Sequence, residues 1–141
     1  MVGLIALLAC AAKVQGVVAV QGPLVELTES TGASWKLVYS PEDGELRRLE
    51  DCTLEVQGRR VGRRVTVQDW KVLASAQGST PYVGVLVKRG DNLILQDRNS
   101  GQPVILEGDE QLLDLVGRTL LVSGYVVGPQ VVHVMSVSLL D

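Results

Sequence analysis

The side chains able to carry chemistry are few and far apart. The chain holds one histidine, His133, two cysteines, Cys10 and Cys52, and 16 Asp and Glu. A nucleophilic triad needs a Ser or Cys beside a histidine that a carboxylate orients. No nucleophile motif accompanies His133, so it reads as a strand histidine rather than a general base. The carboxylates occur singly or in turns, as in Glu42-Asp43 and Asp109-Glu110, without the oxygen-ligand spacing of a calcium loop. Neither cysteine belongs to a CxxC or a Cys/His spacing, which leaves a zinc site unsupported. No Gly-rich loop leads into a helix to cradle phosphate. The expectation is a non-enzyme with no catalytic residue, no metal and no cofactor.

Charge and aromatics narrow the partners. The 13 Lys and Arg against 16 Asp and Glu give 13 − 16 = −3, too little positive field to favour nucleic acid. The densest basic cluster is Arg59, Arg60, Arg63 and Arg64, around Val61-Gly62, with Arg47-Arg48 nearby in sequence. Such a cluster contacts anionic headgroups or an acidic partner, at about 1 kcal/mol per basic residue near a charged membrane. Otherwise it is a hairpin turn with solvated arginines. Trp35, Tyr39, Trp70, Tyr82 and Tyr125 are spread along the chain, a thin supply for a base- or sugar-stacking platform. Trp70 falls on an apolar parity and reads as core.

The N-terminus carries an address. Val2–Ala9 is apolar and uncharged, spanning about 12 Å as a helix. That is too short for a bilayer core of about 30 Å but suits the apolar region of a signal peptide. Leu7-Leu8-Ala9-Cys10 resembles the lipobox of bacterial lipoproteins, in which the cysteine after a small residue becomes lipidated and N-terminal. The resemblance implies residues 1–9 as signal peptide, Cys10 as lipidation site and residues 10–16 as a tether. With Ala11 next, it also implies the periplasmic face of the outer membrane. The alternative for this stretch is a first β-strand or a buried terminal tail. Cys52 reads as a small core hydrophobe, or as a disulfide partner if Cys10 carries no lipid.

The elements that must position these residues are strands, arranged as two copies of one module. Thr53-Leu54-Glu55-Val56-Gln57-Gly58 recurs as Thr119-Leu120-Leu121-Val122-Ser123-Gly124. Leu49 and Leu115 precede these at the same spacing. Val61–Val67 matches Val127–Val134, and Gly22-Pro23-Leu24-Val25 matches Gly84-Val85-Leu86-Val87. The boundaries expected are 17–76 and 77–141, joined near Ala74–Thr80. The 24 valines favour pleated surface over helix. Strands are expected at Val17–Leu27, Ser34–Tyr39, Thr53–Val61 and Val65–Leu73. In the second copy they fall at Tyr82–Lys88, Asn92–Gln96, Pro103–Glu107, Thr119–Val127 and Val131–Leu140. Short helical turns are expected at Glu45–Asp51 and Asp109–Val116.

Strand, strand, short strand, helix, strand, strand, with a glycine inside the first strand, resembles the order of an OB-fold. Gly84-Val85-Leu86 and Leu115–Gly124 carry that resemblance, more loosely matched by Gly22-Pro23-Leu24 and by Asp51 where Gly117 stands in the second copy. The fold class expected is all-β, two tandem five-stranded OB-like barrels with at most one short helix each. A parity slip at Gln68-Asp69 and at Met135-Ser136 predicts a β-bulge in the last strand of each copy.

Outward parities separate the copies. Glu55, Gln57 and Arg59 become Leu121, Ser123 and Tyr125, and Val83, Val85 and Val87 replace Gln21, Pro23 and Val25. Val83, Val85, Val87, Leu121, Tyr125 and Val127 therefore form an expected partner face, which the first module could also cover. The functional expectation is a lipid-anchored envelope protein with a protein partner. The alternative is an OB module binding an oligosaccharide, an envelope glycan or single-stranded nucleic acid. Barrel architecture alone decides neither.

Overall fold

A computed structural model describes residues 10–141; the expected signal peptide, 1–9, lies outside the described residues. The strands are β1 (Cys10–Gln21), β2 (Leu24–Thr28), β3 (Ser34–Val38), β4 (Thr53–Val61) and β5 (Arg64–Ala74), then β6 (Tyr82–Arg89), β7 (Asn92–Gln96), β8 (Pro103–Glu107), β9 (Thr119–Gly128) and β10 (Val131–Leu139). They close two separate barrels in the orders β1-β2-β3-β5-β4 and β6-β7-β8-β10-β9. Numbered within each barrel, both read 1-2-3-5-4, and the single parallel pairing, β3 with β5 and β8 with β10, sits at the same place. The chain is all-β, two tandem five-stranded OB-like barrels. The units divide between Gly78 and Ser79.

The first barrel differs from its expected outline in three ways. Residues 10–16 are not a tether: they are the first half of β1, paired from Cys10↔Arg60 to Gly16↔Leu54. The run Val14, Gly16, Val18 is buried while Gln15 and Val17 are exposed, the period-2 pattern of a barrel strand. Val17–Leu27 is not one strand but the second half of β1, a two-residue turn at Gly22-Pro23, and β2, with Gln21↔Leu24 closing the hairpin. Gly22 is thus a turn residue, and the strand-one glycine is Gly16. Gly16 pairs with Leu54, as Gly84 pairs with Leu120. The match that finds it is Gln15-Gly16-Val17-Val18 against Val83-Gly84-Val85-Leu86.

The helical pieces are 3₁₀: Pro41–Arg48, kinked at Asp43, and Glu110–Leu115. The first begins earlier than expected because Pro41, with its fixed φ, suits an opening helical position. Leu46, Leu49 and Leu112 bury into their barrels. Trp70, 2% exposed, is core, and its indole N–H donates to Asp43 Oδ1 at 3.3 Å, tying the segment to β5.

The bulges fall where parity slips. β4 pairs Gln57↔Asp69 and then Gly58↔Val67, extruding Gln68; β9 pairs Gly124↔Val134 and then Ser123↔Ser136, extruding Met135. Asp51 and Gly117 also correspond in three dimensions. The Asp51 N–H donates to Val18 C=O at 2.9 Å and the Gly117 N–H to Leu86 C=O at 2.7 Å. Both residues are left-handed, at φ 69° and 89°, so Asp51 carries a Cβ in a region that glycine occupies freely. Asp51→Gly should therefore stabilise the first barrel by about 0.5 kcal/mol, read as a small rise in its Tm; a fall would show that the Asp side chain supports the turn.

Candidate functional site

The two barrels diverge most at one equivalent place, the hairpin between their last two strands. In the first barrel, Val61↔Arg64 closes β4 and β5 around Gly62-Arg63. Arg59, Arg60, Arg63 and Arg64 are all exposed there. Two of the hairpin's arginines lie over the ring of Trp35, from β3. Trp35 is 6% exposed, and the Arg60 and Arg63 guanidinium carbons each lie 5.0 Å from its ring centroid. That is cation–π distance. Beside it runs a groove of about 440 Å³ lined by Glu26, Ser34, Lys36, Val61, Arg63 and Arg64.

In the second barrel the same hairpin carries no charge. Tyr125, Val126 and Val127 are 54%, 65% and 48% exposed. Val126 pairs with the buried Val132, so it keeps the inward parity but projects past the rim of the barrel, where no core remains to cover it. The residue equivalent to Trp35 is Val104. Lys36 N–H donates to Arg63 C=O at 2.8 Å in one barrel, as Ile105 N–H donates to Gln130 C=O at 2.7 Å in the other, and Trp35 and Val104 immediately precede these donors. A groove of about 360 Å³ runs beside the hairpin. It is lined among others by Tyr82, Val104, Val126, Pro129 and Val131, within the size range of small-ligand and side-chain pockets.

Asp97 braces one wall of that groove. It is 4% exposed. Its Oδ1 accepts from Val83 N–H at 3.1 Å and Asn99 N–H at 3.3 Å. Its Oδ2 accepts from the Ser100 N–H at 3.2 Å and the Ser100 hydroxyl at 2.7 Å. A carboxylate accepts only, and here four donors converge on it. The sequence alone gave Asp97 no role; its Asp-x-Asn-Ser-Gly setting was legible only as a turn.

The expected partner face is only partly present. Val85 is 41% exposed, and Tyr125 and Val127 stand out as above, but Val87 and Leu121 are half-buried. Val83 does not belong to it: it is 1% exposed. Its strand passes so close to the end of β7 at Gly84 that the alternating faces are no longer inside and outside. Val126 and Met135, at 65% and 68%, are exposed where parity alone placed no partner residue. One is an inward-parity residue beyond the rim, the other the bulge residue itself.

His133 stacks on Tyr125, with ring centroids 5.1 Å apart, and its Nδ1 lies 3.9 Å from Glu107 Oε1. No disulfide joins Cys10, which is exposed, to Cys52, which is buried. Burial pushes the Cys52 thiol above its ordinary range, partly offset by a backbone hydrogen bond from Ala76. Among the described residues no three His, Cys, Asp or Glu side chains gather as a metal site. The chain matches no protein-family model, no curated protein and no solved structure.

Proposed function

We propose that this chain is a non-catalytic interaction module of a bacterial cell envelope, lipidated at Cys10 and presenting a protein-binding hairpin on its second barrel. The observation that carries the reading is the uncharged Tyr125-Val126-Val127 rim over the Val104 groove, set against its arginine-bearing equivalent. A partner side chain entering a pocket ringed by contacts that exclude water is the usual anatomy of an interface hot spot. The oligosaccharide or nucleic-acid reading needs aromatic faces converging on one groove. Both tryptophans are buried and Tyr39 and Tyr82 are half-buried, so the exposed material is aliphatic apart from Tyr125. That balance supports protein over sugar or base. The lipobox-like Leu7-Leu8-Ala9-Cys10 supports placement at the periplasmic face of the outer membrane.

Photo-crosslinking from position 126 in cells should trap a discrete envelope protein. Val126→Glu together with Val127→Glu should weaken that complex by about thirtyfold or more, the scale of a 2 kcal/mol hot spot, while the melting profile stays unchanged. Undiminished crosslinking from position 125 in the double variant would remove the hairpin from the interface.

A further inference from the structure

We infer that the arginine-bearing end of the first barrel rests on anionic phospholipid headgroups. The choice of membrane rests on the lipid-anchor reading above, whereas the patch stands on its own geometry. Cys10 and the arginines are distant in sequence, but in the barrel they are neighbours: Cys10↔Arg60 and Ala11↔Arg59 are cross-strand partners. Antiparallel partners hold their Cα atoms about 5.5 Å apart or less. Acyl chains on Cys10 would therefore leave the protein beside Arg59 and Arg60, with no tether to let the barrel swing away.

The rest of that end is built consistently. The two-residue turn places Arg63 and Arg64 next to Arg59 and Arg60, and Lys36 joins them through its register with Arg64. The facing carboxylate is Glu26, which lines the adjoining groove with Lys36, Arg63 and Arg64, so positive charge predominates. Trp35 supports two of the guanidiniums from beneath, and its buried indole N–H finds no hydrogen-bond acceptor among the described residues. Guanidiniums bind phosphate oxygens in bidentate pairs. The equivalent hairpin of the second barrel carries no charged residue, so the patch belongs to this module and not to the fold in general. An acidic protein surface would also attract arginines. The membrane is favoured because the strand pairing fixes them beside the lipid attachment point.

The test separates patch from anchor. Full-length Cys10→Ser protein should bind vesicles of phosphatidylcholine with phosphatidylglycerol, more weakly as salt rises, and bind vesicles of phosphatidylcholine alone far less. Replacing Arg59, Arg60, Arg63 and Arg64 by Gln in that background should weaken binding by several hundredfold, at about fivefold per charge. Replacing them by Lys should largely restore it. Arg59→Gln with Arg64→Gln spares the Trp35 stack and should still cost about twentyfold, which guards against a folding artefact. Equal binding to both vesicle types, or equal binding by the Arg and Gln chains, overturns the proposal and leaves an acidic protein as the arginines' target. If arginine-dependent binding holds but native Cys10 carries no lipid, the anchor fails and the patch stands.

Discussion

Gly84→Ala should unfold the second barrel and leave the first folded. A Cβ built at Gly84 runs into the Gln96 carbonyl oxygen, a backbone atom that no rotamer change can move. Strand β6 needs this approach: it pairs with β9 up to Val85↔Thr119 and with β7 from Leu86↔Leu95 onward, so it must coil where it passes between the two. A side chain there forces the barrel open at that seam. The core it closes, Leu86, Leu95, Leu106, Leu112, Leu120 and Val122 among others, would then be exposed. Large destabilisations of more than about 4 kcal/mol have this kind of origin, against a total stability of about 5–15 kcal/mol for a domain. Gly58→Ala should do the same to the first barrel, since its Cβ would meet the Thr66 carbonyl oxygen at the bulge. Amide NMR spectra decide the matter: signals from 79–141 should collapse in Gly84→Ala while those from 10–78 persist, with the reverse for Gly58→Ala. Native spectra from either variant would refute the close approach.

These glycines also mark how far the sequence could be read. The Thr-Leu-x-Val-x-Gly repeat is visible and locates Gly58 and Gly124; the bulges at Gln68-Asp69 and Met135-Ser136 are visible separately, as a parity slip in the last strand of each copy, because a strand on a barrel wall must alternate and a bulge must break the alternation. The equivalence of Asp51 with Gly117 was visible as a mismatch; its cause, a shared left-handed backbone, was not. Gly16 was missed because Gly22-Pro23-Leu24 imitates the Gly84-Val85-Leu86 pattern while serving as a turn. Residues 10–16 were misread because a lipobox-like cysteine commonly precedes a linker, and Cys10-Ala11-Ala12 has no alternation to announce a strand. Their partners on β4 supply the pairing that local sequence does not. At the site, the arginine cluster was legible, but its position beside Cys10 and over Trp35 depends on register and barrel closure. Exposure of Val126 and Met135 follows from a rim and a bulge, features that parity counting alone assigns to the wrong side.

The largest functional effect expected is the release of the protein from membranes in Cys10→Ser. The apolar Val2–Ala9 run is too short to span a bilayer, so in the proposed reading attachment rests on lipid at Cys10. Each buried CH₂ contributes about 0.8 kcal/mol, and more than one chain is needed for stable anchoring. Arginine contacts are weaker and screened by salt, so they should not retain the mutant in a high-salt wash. The wild-type chain should stay with the membrane pellet under the same wash, and Cys10→Ser should move to the supernatant with its fold intact.

The most direct measurement is the intact mass of the protein extracted from membranes. The account predicts a mature chain beginning at Cys10, 141 − 9 = 132 residues, carrying the added mass of acyl chains that Cys10→Ser lacks. An unmodified chain beginning at Met1, or a Cys10→Ser chain retained on membranes as firmly as the wild type, would contradict it.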